Sequence, residues 1–279
     1  MGIKIVTDST SEIGQEEAAK QNISVVPLKS VFGEKEYLEG IDLSSEEFYI
    51  KLSQSKKLPT TSQPAPYAFE QVFRQSQEAG EQIIVICISS VLSGTYQSAC
   101  IAQETCGGNI WVVDSGTATL GLQILVRLAM SLRESGKKAE EIVDIIEEAK
   151  KSICLFAVVD TLEYLYKGGR LSRTSAFAGT ILRVKPMISL LQGEIKVIGK
   201  ALGSKKAFTE LFKFVDGSGG IDYTKPFSIG YTGDRGQFVQ FEQICQQYFA
   251  GHEPIISSIG SVIGTHAGPG AVAITFYKR

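Results

Sequence analysis

Short β-branched runs alternate with helical patterns along the first half of the chain. Residues 3–6, 24–28, 83–88 and 110–113 predict strands, and residues 31–32 predict the start of a hairpin. The run at 83–88 is almost entirely apolar, which is typical of a strand that is buried on both faces. The pattern therefore predicts a mostly parallel sheet that is flanked by helices.

One predicted helix is unusually apolar. Between residues 119 and 132 only Gln123, Arg127 and Ser131 are strongly polar, whereas the helix around Ile142 has a charged face. A helix that is apolar on most sides is buried. We expect the 119–132 helix to be surrounded by protein, or by protein and ligand together.

The pattern changes after residue 152, and we place a domain boundary there. The two predicted domains cover residues 1–152 and 153–279, and the second is an α/β domain with a mixed or antiparallel sheet. Its predicted elements are strands at 153–159, 184–191, 195–198, 227–231, 255–259 and 272–276 and helices at 207–215 and 238–249, with a turn at 192–193 between the second and third strands.

Composition narrows the class of protein. A chain of 279 residues fits two domains of about 150 residues each. With 21% charged residues the chain is not disordered, and a net charge of −2 argues against nucleic acid as the main partner. The five cysteines form no Cys-x-x-Cys pair, so we expect neither a disulfide framework nor a zinc knuckle. The sequence has no other dense set of metal ligands, and we expect no metal and no cofactor. An acid at Asp8 interrupts any signal-length apolar run, and no run reaches membrane-span length, so we expect a cytoplasmic location.

Small hydroxyl-rich segments follow three of the predicted strands, at residues 7–11, 89–95 and 114–117. Ligands of open parallel sheets bind outside the carboxyl ends of the strands. Hydroxyls and backbone amides there form an anion site without buried cations. The alternative is that these residues are ordinary helix N-caps.

Two further features have both a structural and a functional interpretation. Thr61 and Ser62 lie between prolines, where they either cap the helix near Pro66 or present a hydroxyl to a ligand. His266 precedes a glycine-rich turn that permits close backbone approach, which favours a functional role.

The most basic local feature contains Lys167, Arg170 and Arg173. These side chains either interact favourably with the dipole at a helix C-terminus or belong to an exposed loop that contacts an anionic partner. Residues 176–182, which follow, are apolar and form either plain core or one wall of a cavity.

Several catalytic motifs are missing from the sequence. It contains no P-loop, no Gly-x-Gly-x-x-Gly and no His-Glu-x-x-His. Ser93 follows a predicted strand, but Val91 occupies the first glycine position of a nucleophile elbow. A serine hydrolase or esterase that uses Ser93 and His266 therefore remains the alternative function.

The motifs together resemble the DegV family, in order and over the whole chain. They are Asp8-Ser9-Thr10-Ser11, Thr60-Thr61-Ser62-Gln63-Pro64, the segment 89–96, Gly168-Gly169-Arg170-Leu171-Ser172 and His266-Ala267-Gly268-Pro269-Gly270. The resemblance implies a two-domain bacterial protein that binds a long-chain fatty acid between its domains. It also implies a non-catalytic subunit of fatty acid kinase. A separate ATP-using subunit would phosphorylate the bound acid for phospholipid synthesis.

The resemblance also assigns roles to residues of this chain. The residues implied to hold the carboxylate are Thr61, Ser93 and His266. The implied outer polar shell is Ser62, Gly94, Thr95 and Ser9. Lys167, Arg170 and Arg173 are implied to lie near the entrance, where they contact the kinase subunit or, transiently, an anionic membrane surface. Neutral donors, with no buried lysine or arginine, are expected to suffice for the carboxylate.

Overall fold

The computed structural model describes residues 2–171 and 183–279. Arg173 and the apolar stretch 176–182 lie outside the described residues. The strands are β1 (Ile3–Asp8), β2 (Ile23–Val26), β3 (Lys29–Phe32), β4 (Lys35–Leu38), β5 (Thr60–Ser62), β6 (Gln82–Cys87), β7 (Ile110–Asp114), β8 (Ile153–Val158), β9 (Val184–Leu191), β10 (Glu194–Leu202), β11 (Ser228–Tyr231), β12 (Ile255–Ser258) and β13 (Val272–Tyr277). The α-helices are α1 (Gln15–Lys20), α2 (Ser45–Gln54), α3 (Pro66–Glu78), α4 (Thr95–Cys106), α5 (Leu120–Glu134), α6 (Ala139–Ala149), α7 (Glu163–Lys167), α8 (Ser204–Gly217), α9 (Gly236–Phe249) and α10 (Ser261–Ala267).

The first sheet is parallel throughout and has the strand order β2-β1-β6-β7. Its central strand β6 is buried from Ile83 to Cys87, in agreement with its uninterrupted apolar run. Helices cover both faces of a sheet of this kind, because neither face is polar enough for water. The predicted parallel sheet flanked by helices is confirmed.

The second sheet is mixed and has the strand order β10-β9-β8-β13-β11-β12. All its pairs are antiparallel except β11 with β12. The predicted hairpin joins β9 to β10 through Gln192 and Gly193, both of which have positive φ angles. Such a two-residue turn matches the twist of the flanking strands.

A third, three-stranded antiparallel sheet with the order β4-β3-β5 lies beside these two. The predicted hairpin at 31–32 is its β3–β4 pair. Thr61 belongs to edge strand β5, where it faces Ser30 in register. Helix α3 takes Ala65 as its N-cap, so the capping interpretation of Thr61 and Ser62 is wrong. Pro66 at the first helical position starts the helix without such a cap.

Helix α5 lies between the parallel and the mixed sheets and contacts both. Its residues from Leu120 to Val126 are all buried, as the apolar pattern predicted. Its buried Gln123 donates to Ser257 Oγ at 2.9 Å and accepts from Ser228 Oγ at 3.0 Å. One polar residue therefore ties the helix to the mixed sheet inside an otherwise apolar layer.

All strands of the parallel sheet precede residue 152, and those of the mixed sheet follow it. The division into domains 1–152 and 153–279 stays a prediction. The described ranges contain no helix that has both the length and the apolar character to cross a membrane.

The Gln123 contacts predict a stability effect. Gln123→Leu removes its hydrogen bonds to Ser228, which keeps Ile255 O as an acceptor, and to the half-buried Ser257. Each lost hydrogen bond costs about 0.5–1.5 kcal/mol, so we expect the free energy of unfolding to fall by about 2 kcal/mol in urea titrations. Gln246→Leu, on the exposed face of α9, is the control and should change it little. Equal effects of the two substitutions would contradict the prediction.

Candidate functional site

A cavity of about 320 Å³ lies between the parallel and mixed sheets, a size within the usual range for small-molecule sites. Most of its wall is apolar. The apolar lining residues are Leu28, Ile88, Leu92, Ala118, Leu155, Ala157, Val159, Leu165, Ile188, Leu190, Ile195, Ile259, Val262, Ile263, Ala267, Ala271 and Ala273. The cavity therefore suits an apolar ligand.

The cavity arises from strand alternation and from small side chains. On β8, Leu155 and Ala157 face the cavity, whereas Phe156 packs into the aromatic core on the opposite face of the sheet. Ala157 and Ala273 occupy neighbouring strands and leave room where larger residues would fill the layer. The empty space is therefore a property of side-chain size within a regular sheet.

One end of the cavity is polar, and Thr61 and His266 meet there. Thr61 Oγ1 lies 2.8 Å from His266 Nε2, in hydrogen-bond distance. Thr61 comes from edge strand β5 and His266 from the last turn of α10. The structure thus brings together two of the three predicted carboxylate ligands from positions 205 residues apart.

The third predicted ligand, Ser93, also lines this cavity. Its Oγ lies 2.8 Å from Thr95 Oγ1, at the start of α4. Thr95 is buried behind Ser93 and is not part of the lining, so it orients Ser93 and does not face the cavity. Ser62 and Gly94 do line the cavity.

Arg170 brings a positive charge to the polar end. It lines the cavity, and its Nε donates to Leu92 O at 3.1 Å while its Nη1 donates to Gly168 O at 2.8 Å. It forms no ion pair with an acidic side chain of the described residues, and the segment 172–182 contains no acid. Arg170 is half-buried there, so a cation lies beside the neutral donors, and the expectation that these donors suffice for the carboxylate stays a prediction. Lys167, by contrast, is exposed and pairs with Glu163 at 2.5 Å.

His266 is held in its neutral form. Burial, together with the charge of Arg170, lowers the pKa of its imidazole to about 4. Nδ1 faces Gly168, where a Cβ atom would lie only 2.3 Å from it. Gly168 therefore allows the imidazole to pack directly on the backbone. A neutral imidazole has one donor and one acceptor nitrogen, so it sets the direction of the Thr61 hydrogen bond.

Of the three hydroxyl-rich segments, 89–95 reaches the cavity through Ser93, whereas 7–11 and 114–117 do not. Ser9 is not part of the cavity wall, and its hydroxyl donates to Glu39 at 2.6 Å. Its place in the outer polar shell stays a prediction. Asp8 accepts from Thr10 N and Ile88 N, so it braces the turn after β1 as a cap does.

The hydrolase alternative is not supported by this geometry. Ser93 bonds with Thr95, whereas His266 bonds with Thr61, and Ser93 and His266 share no hydrogen bond. A nucleophilic serine needs a base within hydrogen-bond reach. Neither nitrogen of His266 is placed to take a proton from Ser93.

Sequence reasoning assigned no role to three polar residues of the cavity lining, Gln63, Thr119 and Thr232. Gln63 donates to Ser98 Oγ at 3.0 Å and lies where a Cβ atom on Gly94 would be. The motif Ser93-Gly94 could have indicated this contact, since a glycine allows another side chain to lie close to the backbone. Thr119 has a φ of 47° in spite of its branched Cβ, which no local sequence pattern indicates.

Known proteins resemble this chain over its whole length. Residues 2–279 match the family described as "Uncharacterised protein, DegV family". A DegV domain-containing protein from Caldanaerobacter subterraneus is 39% identical over 280 residues, which covers 99% of each chain. Two solved structures, each 31% identical and fully covering both chains, are described as fatty-acid-binding DegV proteins from Thermus thermophilus and Bacillus subtilis, with TM-scores of 0.89 and 0.87.

The neutral state of His266 predicts a pH dependence of stability. Its pKa is lower in the folded chain than in the unfolded chain, so the unfolded chain binds more protons between about pH 6.5 and pH 4. Stability therefore falls as the pH falls through this window. Between pH 7 and pH 4.5 the imidazole should account for a loss of about 2 kcal/mol.

Urea unfolding gives the free energy of unfolding of the native chain and of His266→Gln at pH 7 and at pH 4.5. The difference between the two proteins isolates the contribution of His266, because they share all other titrating groups. We expect the variant to lose about 2 kcal/mol less than the native chain over this interval. Parallel losses in the two proteins would show that His266 titrates normally.

Proposed function

Since this chain belongs to the DegV family, we propose that it binds a long-chain fatty acid in the cavity between its two large sheets. The observation that carries the proposal is a largely apolar cavity wall with one polar end, formed by Thr61, His266, Ser93 and Arg170. A fatty acid has the same asymmetry, with one anionic end and a long apolar tail. The fatty-acid-binding relatives from Thermus thermophilus and Bacillus subtilis support this assignment.

In the proposed complex the tail supplies most of the affinity. Burial of a methylene contributes about 0.8 kcal/mol, so a tail of ~14 contributes roughly 11 kcal/mol before the costs of association. A hydrogen bond to a charged group contributes about 1.5–3 kcal/mol. The polar end therefore sets the register and the orientation of the ligand within the cavity.

In the proposed headgroup arrangement, each polar residue has a separate task. When His266 carries its proton on Nε2, it donates to Thr61 Oγ1, and the Thr61 hydroxyl is free to donate to the carboxylate. Ser93 supplies a second hydroxyl, held by Thr95. Arg170 balances the negative charge, which reduces the cost of burying a carboxylate in an apolar cavity.

We further propose that the chain is a non-catalytic subunit, which presents the carboxylate to a separate ATP-using kinase. The sequence has no P-loop, which fits a role that leaves phosphoryl transfer to a partner. Loading and delivery of the acid would involve transient contact with an anionic membrane surface. Exposed Lys167, close to the polar end, is the described residue that best suits such a contact.

Removal of the headgroup hydroxyls tests the binding site. Thr61→Ala and Ser93→Ala should each weaken palmitate binding about tenfold, because each loses one hydrogen bond to a charged group. Native mass spectrometry identifies the bound acid, and fluorescence displacement gives the affinity. With the kinase subunit and ATP added, acyl phosphate formation should fall more than binding does, because a misplaced carboxylate reacts poorly.

Thr60→Ala is the matched control. Thr60 precedes Thr61 on the same strand, but its side chain is exposed on the other face. It should bind palmitate as the native chain does. A native chain that carries no fatty acid and takes up no added palmitate would refute the proposed function itself.

A charge substitution tests the membrane contact. A basic residue near an anionic bilayer contributes about 1 kcal/mol, so Lys167→Ala should slow palmitate transfer from anionic vesicles about fivefold. Transfer from neutral vesicles should be unchanged, and added salt should remove the difference. Lys213→Ala is the control, since Lys213 on α8 is also exposed and ion-paired. Identical transfer rates on both kinds of vesicle would exclude this role for Lys167.

A further inference from the structure

Two carboxylates from the N-terminal half of the chain meet the first turn of α10. Glu39 Oε1 accepts from Val262 N at 2.7 Å and from Ser261 Oγ at 3.1 Å. Glu12 Oε2 accepts from Gly260 N at 2.8 Å. Gly260 is the N-cap of this helix and has no side chain with which to accept these amide protons. Side chains that are 223 and 248 positions away in sequence therefore supply the cap.

Gly260 is required here by space and not by backbone conformation. Its φ of −72° and ψ of −175° are extended values that any residue adopts. A Cβ atom on Gly260 would lie 2.5 Å from Glu39 Oε1 and 3.3 Å from Glu12 Oε2. The two carboxylates therefore approach the same point, which a side chain would otherwise occupy.

The hydrogen bonds at the start of α10 are linked to both residues of the Thr61–His266 pair. Ser30 Oγ donates to Ser261 Oγ at 2.9 Å, and Ser30 is the register partner of Thr61. His266 lies six residues beyond Gly260, about 9 Å along the helix. A shift of the helix start therefore moves His266 relative to Thr61.

Among the described residues, hydrogen bonds, and not a positively charged side chain, stabilise the carboxylates of Glu12 and Glu39. In the described ranges neither glutamate is in an ion pair, and the titratable groups that face them are Asp8 on β1 and Tyr49 on α2. Burial raises the pKa of Glu39, and burial together with the Glu39 charge raises the pKa of Glu12 well above its usual range. Ser9 and Thr119 donate to the remaining oxygens at 2.6 and 2.8 Å.

We propose that Glu12 and Glu39 are positioning residues for the headgroup site. Their hydrogen bonds fix the start of α10, and the start of α10 fixes the position of His266 relative to Thr61. Neither glutamate lines the large cavity, so both act through the helix and not on the ligand. The consequence for fatty-acid binding rests on the proposed function, whereas the His266–Thr61 contact exists in the free protein.

Gly260→Ala is the most direct test, because it disturbs the carboxylates without straining the backbone. Only two histidines are present, so the imidazole ¹⁵N spectrum of the free protein is readily assigned. We expect the His266 Nε2 signal to shift and palmitate affinity to fall about tenfold. Gly14→Ala is the matched control, since Gly14 is an extended N-cap glycine with nothing within 4 Å of an added Cβ atom. It should change neither measurement.

A second pair of variants separates capping from general destabilisation. Glu39→Leu removes the acceptor, whereas Glu39→Gln keeps one oxygen for Val262 N and should restore the native His266 signal. Glu141→Leu removes a similar cap from α6, far from the cavity, and should lower stability without moving His266.

The His266 spectrum decides the outcome. A native His266 signal in folded Gly260→Ala overturns the proposal, even if Glu39→Leu fails to fold. A shifted signal in Glu141→Leu also overturns it, because the effect would then be general. If His266 shifts as expected but the native chain binds no palmitate, the positioning role stands and the proposed function fails.

Discussion

The burial of α5 between two sheets is the constraint on which the rest of the structure depends. A helix that is apolar on nearly every side is stable only when both sheets cover it, so the two halves of the chain must close on the same element. The sheets then face each other beyond the start of this helix, where Ala118 and Thr119 reach the cavity. The cavity lies between the two sheets at this end of the helix, where small side chains such as Ala157 and Ala273 leave room.

At neutral pH the polar end holds one cationic group and one neutral imidazole. Arg170 keeps its proton at any physiological pH, and its field helps to hold His266 in the neutral form. A neutral imidazole orients a hydroxyl, and a guanidinium supplies charge. Separate residues for these two tasks keep the hydrogen-bond direction fixed when an anion enters.

Local patterns predicted the regular elements well, because strand alternation and helix periodicity reflect burial directly. The parallel strands, the hairpin at Gln192 and Gly193 and the buried character of α5 all followed from such patterns. Thr61 and His266 were found through motifs, although their contact depends on the edge strand β5, which proline-flanked sequence did not reveal. Glu12 and Glu39 were not found, since their partners lie more than 200 positions away and a glutamate in a loop is usually solvated.

The alanines that line the cavity have a consequence for the lifetime of the protein. Side chains that line a cavity have no protein contacts on one side, so a ligand that fills the cavity adds contacts to the folded chain. Any ligand that binds only the folded chain raises its stability by mass action. Because proteases attack the unfolded form, the rate at which the chain is degraded would depend on how much ligand is available. The abundance of this protein would then follow the supply of its ligand without any dedicated regulator.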